Sequence, residues 1–283
     1  MNRQKKQRLR SIRFHIGACL LGFIMIYPLL WLVASSFKSN QTMFQDAYSL
    51  IPKVWDAAAN YLSGFEGVGG VPFTTFLFNS VIFTAVGVVG CVTTSLFAAY
   101  AFSRIRFRFG NFWFGCVMMT MMIPAQVTMI GFYQMVYRIH MTNQLSMLIL
   151  PAIASPAMVF FMRQYMLPSL SLEIVQAARI DGAGEFYIFN KIAMPIMKPA
   201  IATQAIFSFV SSWNNLFTPL VLLTNKDKYT MPIMVSLLRG DIYKTEYGSV
   251  YLGLALTVLP LIIVYLLLSK YIIAGVALGG VKG

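Results

Sequence analysis

The chain has 283 residues, 58% of them hydrophobic and only 11% charged, with a mean hydropathy of +0.70. Soluble globular chains carry about 25% charge, so this composition excludes a soluble domain and a disordered one and assigns the bulk of the chain to lipid. Lys and Arg outnumber Asp and Glu by 22 to 9, a net +13, which in a membrane protein marks the cytoplasmic side rather than a nucleic-acid partner.

In chain order, a basic N-terminus (1–14) precedes six apolar stretches: 15–37, 76–103, 110–137, 143–162, 199–225 and 249–269. About 20 residues at 1.5 Å rise cross the hydrocarbon core, and without water each crossing must be helical. The fold class expected is therefore an all-α integral membrane protein with six transmembrane helices, filling a transmembrane domain over 15–272. A barrel would show shorter alternating segments. Residues 273–283 form a tail. The first stretch is too long for the apolar region of a cleaved signal peptide.

Alternate loops differ in charge. Fifteen Lys and Arg lie before the first stretch, between the second and third, between the fourth and fifth, and after the sixth; seven lie in the other loops. The bias predicts both termini in the cytoplasm. The outer loop 38–75 is rich in Gly and Pro, and the extracytoplasmic loop 226–248 carries Tyr229, Tyr243 and Tyr247. Pro28, Pro124, Pro151, Pro156, Pro219 and Pro260 interrupt the stretches, where each removes a donor and can kink its helix.

The stretches contain no Asp, Glu, Lys or Arg. Proton-driven carriers and voltage sensors need such groups at depth, although a sodium site of carbonyls and hydroxyls stays open. No phosphate-binding loop and no Ser/His/Asp or Cys/His constellation occurs, so the chain is not read as an enzyme. Cys19, Cys91 and Cys116 sit in apolar runs and read as small hydrophobes; His15 and His140 are too far apart in sequence for metal-ligand spacing, and no metal site is expected. Uphill work would draw its energy from another subunit. Neutral polar residues do occur within the stretches: Asn79, Thr93, Thr94, Gln126, Thr128, Gln204, Ser208, Ser211, Ser212, Trp213, Asn214 and Asn215. Of these, Gln126 and Ser211 to Asn215 are the candidate substrate pathway, since amides and hydroxyls beside an aromatic ring suit a neutral, hydroxyl-rich ligand. Hydrogen bonding between helices is the competing role.

The inner loop 171–198 has the most distinctive pattern. Ser171 can cap a helix, Glu173 sits in its first turn and Arg179 in its last, and Asp181-Gly182 supplies the stop. Ala177 and Ala178 would let a partner backbone approach. Phe186, Tyr187, Ile188 and Phe189 form an apolar knob after the turn. Two short helices around a tight turn would either dock on a partner or lie flat on the membrane, and pattern alone does not choose.

This loop resembles the EAA loop of ABC importer permeases, E-A-A, three residues, Gly, nine residues, I-x-L-P. Gln176-Ala177-Ala178, Gly182, Ile192, Met194 and Pro195 match its spacing, with Gln for the first Glu and Met for Leu. Ala177 to Ala183 reproduce the A-A-R-I-D-G-A form of the carbohydrate branch. Ser36-Phe37-Lys38, Asn60-Tyr61, Phe78-Asn79-Ser80, Trp213-Asn214 and the Gly280-Val281-Lys282-Gly283 tail agree with that branch. The resemblance covers nearly the whole chain.

The resemblance implies a MetI-like permease fold in a bacterial or archaeal cell membrane. It implies a second homologous permease subunit, two ATPase subunits that bind ATP and Mg, and an extracytoplasmic solute-binding protein that delivers a sugar. No cofactor is expected in this chain. Gln176, Ala177, Ala178, Asp181, Gly182, Phe186, Tyr187 and Pro195 would be the contacts that couple transport to the ATPase. The loop 226–248 would reach toward the binding protein, and the C-terminal tail toward the ATPase. A permease of the same architecture carrying glycerol phosphate or another small polar solute is the alternative; from a different class, an ion-coupled carrier or channel acting alone.

Overall fold

A computed structural model describes residues 3–52, 54–239 and 246–280, with side chains for 11–52, 54–239 and 246–271. Lys53, Tyr243, Lys244 and residues 281–283 of the tail motif lie outside those, as do the side chains of the basic N-terminus through Arg10. Regular structure among the described residues is helical, apart from one bridge between Val68 and Val71.

Among the described residues, five helical stretches are long and apolar enough to cross a membrane: Ser11–Ser35, Phe73–Arg104, Ser146–Ser169, Glu185–Trp213 and Tyr247–Tyr271. The first lies within α1 (Arg3–Ser35) and the second is α4 (Phe73–Arg104). Between them lie short helices α2 (Asn40–Gln45) and α3 (Ala57–Glu66).

The stretch 110–137 is not one helix. It divides into α5 (Gly110–Thr120) and α6 (Ala125–Arg138), bent by 97° at the break, and the pair makes a sixth crossing only if counted together. Pro124 stands at the start of α6, where its missing donor ends the ladder from α5. The fourth stretch is likewise α7 (Ser146–Ala152) and α8 (Pro156–Ser169), and Ser155 caps α8 by accepting from the Met158 amide. It runs past the expected end, so Arg163 falls inside it, its guanidinium 4.2 Å from the Phe114 ring centre.

The fifth stretch is displaced most. Helix α9 (Leu172–Ile180) is followed by α10 (Glu185–Ile188), which continues through a π-helical turn, Phe189–Ala193, into α11 (Met194–Trp213). The helix therefore starts inside the loop expected at 171–198, and it ends at Trp213 rather than 225. Pro195 cannot donate to the turn before it, and the wider π turn precedes it. Beyond Trp213 the chain breaks and resumes as α12 (Phe217–Leu222), and Asn215 Oδ1, just ahead of it, accepts from the Thr218 amide at 3.2 Å. The loop 226–248 holds a buried helix, α13 (Met231–Leu238), with Met231, Ile233 and Met234 sealed from solvent. The last helix is α14 (Tyr247–Gly280).

Contacts divide the chain into two units, Met1–Phe73 with Val235–Leu259, and Thr74–Met234 with Pro260–Gly283. In the first, the Lys38 ammonium is buried and donates to the carbonyls of Asp46 (2.8 Å) and Ala47 (3.2 Å). Burial pulls its pKa below the ordinary lysine range, with Asp46 opposing. The Asn60 carboxamide donates to the carbonyls of Ser36 (3.0 Å) and Lys38 (2.9 Å), and the Asn60 carbonyl accepts from Ser249 Oγ (3.1 Å). Phe37 stacks on Tyr61 at 5.6 Å. Two motifs far apart in sequence thus close one polar knot.

Gly248 completes it. A Cβ there would stand 2.1–2.3 Å from the Asn60 carboxamide, which cannot retreat without dropping its two carbonyls. Gly248→Ala is expected to cost about 1–3 kcal/mol, read as a lower thermal midpoint in detergent. Gly115→Ala, whose methyl meets nothing within 4 Å, is the control. Equal midpoints would show that the knot yields freely.

In the second unit, Asn79 donates to the carbonyls of Asp227 (2.8 Å) and Tyr229 (3.0 Å), and Ser80 Oγ accepts from the Met231 amide (2.8 Å). Asn143 Oδ1 accepts from the amides of Thr224 (3.1 Å) and Asn225 (3.0 Å), and its carbonyl accepts from Lys228 Nζ (2.7 Å). These bonds fasten the start of α4 and the α6–α7 connection to the segment after α12. A buried cluster from α4, α8, α9 and α11 fills the other end, including Leu96, Met162, Met166, Val175 and Met197.

Candidate functional site

The inner loop is built from its caps. Ser171 Oγ accepts from the Ile174 amide and opens α9. Asp181 closes it, and Gly182 follows at φ +83°, a left-handed conformation natural to glycine. The Gly182 amide donates to the Arg179 carbonyl (3.0 Å) and the Ala183 amide to the Ala178 carbonyl (2.9 Å), the two bonds of a Schellman stop.

Below the turn lies a charged junction. Arg179 Nε meets Glu185 Oε1 at 2.6 Å, and Tyr100 Oη donates to Glu185 Oε2 at 2.8 Å. Arg179 Nη2 donates to the Arg104 carbonyl at 3.0 Å. The Glu185 carboxylate holds the Arg179 guanidinium above its ordinary pKa, against a smaller penalty from burial. Arg104 is itself buried and donates to the carbonyls of Met166 (3.1 Å), Leu167 (2.9 Å) and Leu170 at the end of α8. The loop is therefore tied by name to α4 and, through Arg104, to α8.

Burial sorts the residues expected to couple. Gln176, Ala177, Asp181, Gly182, Phe186, Tyr187 and Pro195 are exposed, with Phe186 73% and Tyr187 58% accessible. Ile180, not singled out from the sequence, is 87% accessible. Ala178 is half-buried and packs on the inner cluster, so bulk there would strain the core before it reached a partner. The apolar knob divides in two. Phe186 and Tyr187 point outward, while Ile188 and Phe189 are buried, Phe189 stacking on Phe97 at 4.4 Å. An exposed apolar tip on a base held by hydrogen bonds can transmit a push without deforming.

A cavity of about 660 Å³ lies among α6, α7, α8, α11 and α12. Ser211, Ser212 and Asn215 line it; Gln126, Trp213 and Asn214 do not. Trp213 is buried and stacks on Phe209 at 5.6 Å, and Asn214 Nδ2 donates to the Val210 carbonyl. Gln204, Ser208, Thr128 and Ser155 join the lining. Spacing could have found the first two, because Gln204, Ser208, Ser211 and Ser212 fall on one face of α11. No Asp, Glu, Lys, Arg or His among the described residues lines the cavity. Among the described residues, no three His, Cys, Asp or Glu converge as metal ligands.

Comparisons with known proteins agree in direction. Residues 91–277 match the family described as binding-protein-dependent transport system inner membrane component. The arabinooligosaccharides transport system permease protein of Halalkalibacterium halodurans is 35% identical over 99% of this chain and 100% of its own length. The sn-glycerol-3-phosphate transport system permease protein of Yersinia enterocolitica is 28% identical over 96% of this chain and 97% of its own. A chain in the crystal structure of a bacterial ABC transporter involved in the import of the acidic polysaccharide alginate superposes with a TM-score of 0.78 at 23% identity, covering 96% of this chain and 98% of that one, a likeness of fold.

Proposed function

The chain belongs to the binding-protein-dependent transport system inner membrane components, and from that membership we propose that it is the permease subunit of an ATP-driven ABC importer for a neutral sugar or oligosaccharide. It crosses the membrane six times, α5 and α6 together forming the third crossing, with both termini in the cytoplasm. It works beside a second homologous permease. Two ATPase subunits below bind ATP and Mg, and an extracytoplasmic solute-binding protein delivers the cargo.

The observation that carries this reading is the inner loop. Ile180, Phe186 and Tyr187 expose apolar surface at its tip, while Arg179, Glu185 and Tyr100 lock its base. Such a tip fits a cleft in a partner, and closure of the ATPase pair would drive it against α4 and α8, rocking the path between inward-open and outward-open states. The uncharged cavity supports a neutral cargo over a phosphate ester, which would call for a cation at the site. It also offers no carboxylate for proton coupling.

The test is transport by the intact complex, purified through a tag on this chain and reconstituted in proteoliposomes. Labelled arabinotriose, lactose and sn-glycerol 3-phosphate are offered with and without ATP. Uptake of a saccharide only with ATP and a co-purifying ATPase is expected. Uptake driven by an ion gradient with this chain alone would overturn the reading, and uptake of sn-glycerol 3-phosphate alone would overturn the cargo.

A further inference from the structure

We infer that this permease itself holds a subsite for the hydroxyl groups of one saccharide unit, on the polar face of α11 where it borders the cavity. The inference rests on the sugar reading above.

The first ground is hydrogen bonding. Hydroxyls on membrane helices ordinarily donate back to a carbonyl one turn earlier. Thr94, Ser103, Thr128 and Thr203 all do so in this unit. Ser211 and Ser212 do not, and neither they nor the Gln204 carboxamide has a hydrogen-bond partner among the described residues. Each lines the cavity. An unpaired amide or hydroxyl at membrane depth costs on the order of several kcal/mol, so these groups are built to meet something polar.

The second ground is the character of the cavity. Its volume of about 660 Å³ falls within the roughly 300–1,000 Å³ of small-molecule sites. Gln204 offers two donors and an acceptor, and each serine offers one donor and an acceptor. That mixture matches sugar hydroxyls, which also donate and accept. Phe207 shares the α11 face and Phe161 stands on α8; both line the cavity and are exposed, presenting rings to the apolar C–H face of a pyranose. The absence of any charged side chain from the lining fits a neutral ligand. Asn215 contributes less, because both ends of its carboxamide are occupied by Thr218. Trp213 and Asn214 fall outside the subsite.

The test separates binding from transport. Labelled arabinotriose and lactose are equilibrated with the solubilised permease–ATPase complex in the absence of the solute-binding protein, and retained label is measured by dialysis. Gln204→Met keeps the length of the side chain and removes its polar end. The Ser211→Ala, Ser212→Ala double variant removes two oxygens with little risk to folding. The dissociation constant of the retained saccharide is expected to rise about tenfold in the first and at least threefold in the second. Basal ATPase activity and subunit co-purification stay as in the wild type. Dissociation constants within twofold of wild type in both variants, with saccharide uptake intact, would overturn the subsite and leave the sugar reading standing. Loss of the second permease on purification would instead make this face a contact between the two permeases. Retention of labelled sn-glycerol 3-phosphate but of neither saccharide would overturn both.

Discussion

Gly182→Val is expected to abolish ATP-dependent saccharide uptake, by at least tenfold, while the protein stays inserted and folded. Gly182 sits at φ +83°, and a Cβ there would meet nothing within 4 Å. The penalty is therefore one of backbone alone. An L-residue in that conformation costs roughly 1–2 kcal/mol, and a β-branched one more. Leaving it breaks the bonds from Gly182 and Ala183 that stop α9. The turn would then unwind, and Phe186 and Tyr187 would leave the position from which the proposed lever is pushed. Asp181 and Gly182 are exposed and only Ala178 and Ala183 of the turn touch the edge of the inner cluster, so membrane insertion and the rest of the fold survive. Gly182→Asn, which tolerates the left-handed region, should keep most uptake. The comparison is made on reconstituted complexes, with ATPase co-purification recorded beside uptake. Normal uptake by the valine variant would show that the loop carries no force.

The inner loop was legible because its signals are local. Ser171, Glu173, Arg179 and Gly182 act within a turn or two of themselves, and the structure uses Ser171 and Gly182 as caps. The chain breaks were less legible. Proline marks a place where a helix can fail but not whether it does. Pro28 and Pro260 lie inside unbroken helices, whereas Pro124 stands at a 97° bend. Which outcome occurs depends on what packs alongside, a property absent from the local sequence. Sorting the apolar knob failed for the same reason. Phe186 and Phe189 are alike in composition, yet only Phe189 finds Phe97 and Tyr100 beneath it. The cavity lay between these cases. The spacing of Gln204, Ser208 and Ser212 shows a polar face on α11, but only the packing of α7 and α8 turns that face toward a space.

By sequence Arg104 is one of several basic residues marking the cytoplasmic side, yet its replacement should be the most damaging to stability. It is only 7% accessible. Its guanidinium supplies donors to the carbonyls of Met166, Leu167 and Leu170, at the end of α8 where the helical ladder runs out of donors, Met166 alone of the three also accepting from the Leu170 amide. Hydrogen bonds from a charged donor contribute about 1.5–3 kcal/mol each, and carbonyls abandoned in a buried place lose more than the bond itself. Arg104→Met, which fills similar volume without donors, is expected to cost about 2–4 kcal/mol and to lower the thermal midpoint in detergent by about 5–10 °C. Arg104→Lys should recover only part of that loss. A single ammonium cannot reproduce the planar fork that spans carbonyls from separate residues. The backbone carbonyl of Arg104 also receives Arg179, so a loosened α4 terminus would slacken the base of the inner loop. Uptake should therefore fall in the methionine variant even at temperatures where the protein remains folded. A methionine variant as stable as wild type would place Arg104 among the ordinary surface cations, and the tie from the loop to α8 would have to run through the apolar cluster alone.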